Sequence, residues 1–483
     1  MSVGTNDIGV VGMGTMGRNL ALNMADRGFT VAVYNRTESV TREFVTSLAP
    51  EQRVRPCYSL EELVTSLTTP RRVLVMVKAG PPVDAVVEEL GTLLQARDVL
   101  VDGGNSHFRD TERRGVALAE RGVGLLGLGV SGGESGARKG PSLMPGGPPE
   151  AYEAVRTILE AIAARVDGRP CVTYLGGGGA GHYVKMVHNG IEYGFMQLIA
   201  DAYALMKEAL GLDNDRCASL FARWNEAELE SYLVEITADI LRRRDDRTGG
   251  YLVDVIRGEA GQLGTGMWTS EDAMQLKVPV PNIDTAVAMR NLSDLAEQRS
   301  EAARPCGVEG SGREVTAPAP RARGTVTPMD LLSVENVRAA LYAAMVATHA
   351  QGFAQLKAAS EVYDYRFELQ NVASIWLGGC IIRSRLLRDI AAAFERRPAL
   401  PNLLLDAELC RAISTRRGDL AWAVQEAAAR ALPAPGLMAA LSYLDSYRAV
   451  WLPINLTQAQ RDYFGAHGYR RTDQEGMFHT EWS

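Results

Sequence analysis

The sequence predicts two domains of different class: a doubly wound α/β unit over residues 1–178, then a large all-helical unit over 179–446, with a C-terminal tail at 447–483. Three observations carry this. Short β-branched runs alternate with helical patterns from residue 7 to 175, the signature of a mostly parallel sheet. The glycine run LGGGGAG at 175–181 then breaks the alternation, and almost everything after Tyr183 has helical composition. Beyond about residue 447 aromatics and charges continue without a periodic apolar face, so the tail is expected to pack on something other than its own core.

In chain order, the expected strands are Ile8–Val11, Thr30–Asn35, Val73–Val77, Val99–Asp102, Leu125–Val130 and Cys171–Leu175. Helical patterns lie between them at Gly17–Arg27, Leu60–Leu67, Pro82–Leu93 and Pro149–Ile162. The segment 303–328, rich in Pro, Gly, Ala and Arg, reads as an exposed loop inside the helical unit.

Composition narrows the function classes. The chain has 483 residues, 46% hydrophobic and 23% charged, as in ordinary soluble globular proteins. A formal charge of −7 gives no electrostatic footprint for nucleic acid or an anionic membrane. No apolar run is long enough to span a bilayer, and residues 2–7 are too polar to open a signal peptide. The six cysteines are scattered with no metal-ligand spacing, so no metal site is expected and a reducing, cytoplasmic location is.

The first motif is Gly12-Met13-Gly14-Thr15-Met16-Gly17, a GxGxxG between a strand and a helix. In that context Gly12 makes the tight turn, Gly14 lets the backbone approach a pyrophosphate, and Gly17 lets the helix sit close to the sheet. The first unit is therefore read as a Rossmann-type dinucleotide-binding domain, with the anion on the helix amides. The next strand ends Tyr34-Asn35-Arg36-Thr37, where an NAD enzyme would carry a carboxylate. Arg36 can pair with a 2′-phosphate, which favours NADP. Val77-Lys78-Ala79-Gly80 and Asp102-Gly103-Gly104-Asn105-Ser106 follow the third and fourth expected strands and should face the same crevice.

The second motif is GHYVKMVHNGIEYGFMQ at 181–197. At helical spacing Lys185, His188, Asn189 and Glu192 fall on one side, with Val184, Met186, Val187 and Ile191 opposite. An amine, an imidazole, an amide and a carboxylate in one stripe make either a solvated face or the wall of an active site. His349, Trp224, Trp376 and Trp422 lie in helical stretches and read as packing residues, and the 242–247 charge run as a solvated helix end.

These motifs, with GVSGGESGARKGPSLMPGG, GGCIIRS and QAQRDYFGAHGY, resemble the 6-phosphogluconate dehydrogenases from about residue 6 to the terminal HTEW. The resemblance implies a metal-independent oxidative decarboxylation of a β-hydroxy acid phosphate in the pentose phosphate pathway, with NADP as hydride acceptor. It makes Lys185 the general base and Glu192 the acid that protonates the enediol. Asn189 and His188 would hold substrate oxygens and orient Lys185. Asn105 would lie near nicotinamide and substrate, and Ser131, Gly132 and Gly133 at the substrate carboxylate. Tyr193, Thr265 and Arg290 match phosphate ligands. Arg461 and His467 do so from the tail of a partner subunit, which implies a homodimer with composite sites.

Four positions depart from the family pattern. Leu263 and Met267 stand where lysines are usual, Phe195 replaces an aspartate and Leu377 an arginine. One lost charge-assisted bond of ~1.5–3 kcal/mol weakens binding roughly 10- to 150-fold. Three readings follow: the 6-phosphogluconate enzyme itself, a paralog acting on a less anionic β-hydroxy acid, or an inactive NADP-binding regulatory protein.

Overall fold

In the computed structural model, residues 4–49, 51–303 and 328–482 are described. Most of the 303–328 segment, with Cys306, lies outside the described residues.

The nucleotide half is built from β1 (Ile8–Val11), α1 (Thr15–Asp26), β2 (Val31–Tyr34), α2 (Glu38–Thr46), β3 (Val54–Pro56), α3 (Leu60–Ser66), β4 (Arg72–Val75) and α4 (Pro81–Leu93). It continues with β5 (Val99–Asp102), α5 (Phe108–Ala119), β6 (Gly124–Val130), α6 (Gly133–Lys139), β7 (Leu143–Gly146) and α7 (Pro149–Ile162). The sheet order is β3-β2-β1-β4-β5-β6-β7. The first six strands are parallel and β7 is antiparallel to β6. The strand order reverses beside β1, between β1 and β4, where a doubly wound sheet opens its ligand crevice. Apolar clusters cover both faces, as parallel strands require.

One expected strand is absent, and two others, β3 and β7, are not among those expected. Cys171–Leu175 is not a strand; Val172 makes a single bridge to Leu143. The seventh strand is Leu143–Gly146 instead, hidden in the sequence by Pro145 and Gly146. Proline is tolerated there because β7 is an edge strand, where a missing N–H breaks no central ladder.

After the glycine run, α8 spans Ala180–Ala204, 25 residues of which most are buried. It is the hub of the molecule. Its flanks pack against the Pro328–Val362, Thr265–Gln275 and Pro281–Ser293 helices, and its N-terminal half lies on β6 and β7. Glycines make the second contact possible: a Cβ on Gly181 would meet Gly127 O and Met144 O at 2.3 Å, and one on Gly129 would meet Lys185 Cβ at 2.5 Å. Helix and sheet therefore touch backbone to backbone, which puts the polar stripe of α8 at the carboxyl end of β6.

The helical core is one continuous cluster holding Trp224, Trp376, Phe353 and Phe195, with Trp422 partly buried against it. His349 is buried in it, and the arginines of the 242–247 run are exposed. The tail carries the Ile454–Gly465 helix and a short Tyr469–Phe478 bridge. One buried carboxylate organises it. Asp462 accepts hydrogen bonds from the Gly468 and Thr480 amides and the Trp482 indole, and pairs with His479. Burial alone would raise its pKa, but these partners hold the carboxyl well below the usual carboxylate range. No helix of the described residues is long and apolar enough to cross a membrane.

Candidate active site

Lys185 is 5% exposed and His188 fully buried, so the stripe on α8 is not a solvated face. Lys185 Nζ donates to Asn189 Oδ1 at 2.7 Å and lies 3.4 Å from His188 Nδ1. His188 Nδ1 is 3.0 Å from Asn189 Oδ1 and its Nε2 is 3.2 Å from Ser131 Oγ, with the ring edge-on to Trp376. Asn189 Nδ2 donates to Thr265 Oγ1 at 3.0 Å. Glu192 Oε2 lies 3.8 Å from His188 Nδ1. Lys185, His188 and Asn189 thus hold one another, and Glu192 lies beside them to complete the constellation.

Burial sets the electrostatics. It pushes the Lys185 amine below its ordinary pKa, against the opposing pull of Glu192. It pushes the Glu192 carboxyl up, against Lys185 and Arg290. His188 is held neutral, well below its usual value, by burial and then by the Lys185 charge. A base lowered and an acid raised on the same helix face bring the proton affinities of amine and carboxyl closer together, which suits proton transfer in both directions.

Around this wall, Ser131 follows β6, Gly132 caps α6 and Gly133 is its first residue, both glycines with positive φ. A Cβ on Gly132 would meet Gly379 O at 2.5 Å, whereas one on Gly133 would meet nothing within 4 Å. Gly133 therefore leaves its backbone open to a ligand. Asn105, at φ +52°, accepts from Val130 N at 3.2 Å, which fixes it beside Ser131.

The residues expected to meet a phosphate are spread more loosely. Thr265 joins the constellation through Asn189. The Arg290 guanidinium lies over the Tyr193 ring at 3.4 Å and donates to Gly261 O. A Cβ on Gly266 would meet that ring at 2.5 Å. Arg461 and His467 do not join the others. Their contacts among the described residues are Gln458 and Phe464, both in the tail. Leu263 is 88% exposed and Met267 also faces solvent beside this end. The other departures lie elsewhere: Phe195 is buried edge-on to His349, and Leu377 packs on the helical core beside a cavity shared with Tyr232 and Arg383. The four departures do not share one pocket.

The nucleotide crevice fits a dinucleotide. Gly12 has φ +99° and a Cβ there would meet Met76 O at 2.5 Å; one on Gly17 would meet Gly12 O at 1.9 Å. Gly14 has nothing within 4 Å, an open approach for a pyrophosphate. Met13 is buried and its N–H donates to Asn35 Oδ1, which ties the loop to the end of β2, while Thr15 is exposed and Met16 half-buried at the first turn of α1. Asn35 Nδ2 donates to Thr37 O. Arg36 and Lys78 are exposed cations with no ion pair among the described residues, and Val77 and Ala79 border Lys78 at the end of β4. No group of described residues could hold a metal ion.

Sequence reasoning missed three supports. Arg114 and Asp102, a buried ion pair, brace the Asp102–Ser106 loop. Cys380, fully buried, packs behind Lys185 with its thiol pushed up to about 12 by burial. His107 meets Trp268 edge-on at 5.0 Å across the crevice.

Comparison with known proteins agrees with this geometry. Residues 7–176 match the family described as NAD binding domain of 6-phosphogluconate dehydrogenase, and 181–482 the 6-phosphogluconate dehydrogenase C-terminal domain. The chain is 52% identical over 475 residues to the NADP(+)-dependent, decarboxylating 6-phosphogluconate dehydrogenase of Bacillus subtilis, covering 98% of each. It is 48% identical to the Escherichia coli enzyme over 98% of each chain. The solved 6-phosphogluconate dehydrogenase of Plasmodium falciparum superposes with a TM-score of 0.92 at 41% identity, over 99% of this chain and 100% of that one.

Proposed function

The chain belongs to the 6-phosphogluconate dehydrogenase family, and from that premise we propose that its cleft oxidises and decarboxylates 6-phosphogluconate to ribulose 5-phosphate and carbon dioxide with NADP. The observation that carries the roles is the Lys185–His188–Asn189–Glu192 constellation, with its base lowered and its acid raised.

Bound NADP supplies the hydride acceptor. Lys185, neutral at the start, takes the proton of the substrate hydroxyl as hydride leaves the same carbon. Asn189 and His188 hold the amine on its target. The ammonium so formed then faces the oxygen on which charge develops as carbon dioxide departs, where a fixed cation in a water-poor site is most effective. Lys185 gives its proton to that oxygen to form the enediol. Glu192 then gives its proton to the enediol carbon while Lys185 takes the hydroxyl proton back, so the ketone is left and a proton passing from Lys185 to Glu192 resets the pair. Ser131 and the Gly132–Gly133 amides are suited to the substrate carboxylate. Tyr193, Thr265 and Arg290 are suited to the phosphate, and Arg36 with Asn35 and Thr37 to the 2′-phosphate of the cofactor.

We assign residues 1–178 to cofactor binding, 179–446 to substrate binding and dimerisation, and 447–483 to a tail that completes the partner's site in a cytoplasmic homodimer. Two facts support the dimer: Arg461 and His467 reach none of the site residues in their own chain, and Trp451, Ile454, Leu456, Phe464 and Met477 stand exposed on the tail. Leu263 at the phosphate end keeps a second reading in play, a less anionic β-hydroxy acid as substrate. Following NADPH absorbance with 6-phosphogluconate and a panel of β-hydroxy acids separates the two. Turnover of 6-phosphogluconate with the highest kcat/KM is expected. Turnover of another acid alone would overturn the assignment, and NADP binding without any turnover would leave an inactive binding protein.

A further inference from the structure

Arg114 is the only arginine among the described residues that is fully buried, and it touches none of the groups assigned to proton transfer. Its guanidinium reaches four residues on two stretches of chain, 80–84 and 102–106. Nε donates to Asp84 Oδ1 at 2.8 Å, in the first turn of α4. Nη2 donates to Gly80 O at 3.2 Å, at the end of the Val77–Gly80 loop. Nη1 donates to Ser106 Oγ at 3.0 Å and to Asp102 Oδ2 at 3.4 Å, in the second loop. Asp102, wholly buried, in turn accepts from Gly104 N at 2.9 Å and Ser106 Oγ at 2.7 Å. The two loops lie against one another: a Cβ on Gly104 would sit 2.7 Å from Val77 O. From the second loop a bonded path runs on to the catalytic wall. Asn105 accepts from Val130 N, and the next residue, Ser131, bonds His188, which neighbours Lys185.

A buried ion pair adds little net stability over an apolar pair of the same shape, so what such a pair contributes is geometry. A planar fork with donors on three nitrogens can hold acceptors on both stretches at once, a geometry that a lysine ammonium, a single point charge, does not reproduce. We propose that Arg114 is a positioning residue for hydride transfer: it locks the Val77–Gly80 and Asp102–Ser106 loops in one register and so fixes the nicotinamide-side surface against Lys185. The inference rests on the NADP dehydrogenase reading. Misplacing reacting groups by about 1 Å costs ~10²-fold in rate while leaving binding largely intact.

The test uses full-length Arg114→Lys and Arg114→Ala with 6-phosphogluconate, unlabelled and deuterated at the oxidised carbon. In both variants kcat should fall ~30- to 100-fold while KM for 6-phosphogluconate moves less than about threefold. The deuterium isotope effect on kcat should rise, because hydride transfer becomes the slow step. Guanidinium ion at millimolar concentration should restore part of the Arg114→Ala rate, and sodium at the same ionic strength should not. A folded Arg114→Lys with kcat within threefold of wild type, or a loss with an unchanged isotope effect, overturns the proposal. If truncation prevents folding, Ser106→Ala removes one arm and leaves the ion pair; a smaller fall in kcat with the same isotope signature is expected, and an unchanged enzyme overturns the proposal. Should the wild type itself fail to oxidise 6-phosphogluconate, the reaction assignment falls separately. NADPH fluorescence then tests the clamp: altered nicotinamide emission in bound Arg114→Lys supports it, and unaltered emission refutes it.

Discussion

At the chemical end of the cleft Lys185 is 5% exposed and bonded within its own turn of α8, whereas at the phosphate end Leu263 is 88% exposed. The first region is finished inside one chain. Lys185, His188 and Asn189 are hydrogen-bonded to one another, and burial moves the amine and the carboxyl toward each other in pKa. The second is open. Its arginine is held on a tyrosine face, and the tail residues assigned to it lie apart from it in their own chain. The contrast separates two demands. Proton transfer needs a dry, pre-arranged group whose pKa is tuned, while anchoring a dianion needs accumulated charge, which can come from a mobile surface or a second subunit.

Lys185→Met should have the largest effect, lowering kcat by ~10²- to 10⁴-fold with NADPH affinity unchanged in a fluorescence titration. The pH profile of the wild type should be a bell. Activity falls toward acid because Lys185, though lowered, becomes protonated, and toward alkali because Glu192, though raised, loses the proton it must donate. Glu192→Gln should abolish the alkaline fall and leave the acid one. A profile that keeps both limbs in that variant would remove Glu192 from the acid role.

Arg36→Ala should raise KM for NADP ~10- to 100-fold, the value of one charge-assisted phosphate contact, and leave KM for NAD within about threefold. The open end has its own test. Arg461→Ala and Lys185→Met, each impaired as a homodimer, should regain about one quarter of wild-type activity when unfolded and refolded together, since half the dimers then carry one intact site. No recovery in the mixture would show that the tail completes its own chain's site.

The difference between the two ends also decided how much of each was legible. The stripe on α8 could be read because helical spacing alone puts Lys185, His188, Asn189 and Glu192 together, and the cofactor loop because three glycines have three distinct steric duties. Parallel strands showed as β-branched runs, but β7 did not, since Pro145 and Gly146 in an edge strand resemble a turn. Arg114 sits in RDTERR, where neighbouring charges look like a solvated face, and its partners are brought by tertiary packing from 8 to 34 residues away. Phe195 and Leu377 share with Leu263 only a departure from the family pattern, which says nothing about side-chain direction. Phe195 lies on His349 and Leu377 in the seam beside Cys171, whereas Leu263 and Met267 are exposed on either side of Thr265.

The smallest effect is expected from Leu263→Lys, and its size discriminates between a pocket that is weakened and one that is retuned. A new ammonium at so exposed a position is screened, so it gains nearer ~1 kcal/mol than the 1.5–3 of an enclosed contact, about fivefold in KM for 6-phosphogluconate. kcat should not change, because the substitution is remote from Lys185 and would act on ground and transition states alike. The effect should fade as salt is raised toward 0.5 M, since exposed charge is screened within a few ångströms there. A salt-dependent fall in KM of that size means the phosphate is bound at this end and merely loosely. An unchanged KM at low salt means the phosphate does not reach residue 263, and the charge that holds it must then come from Arg290 and the partner's tail.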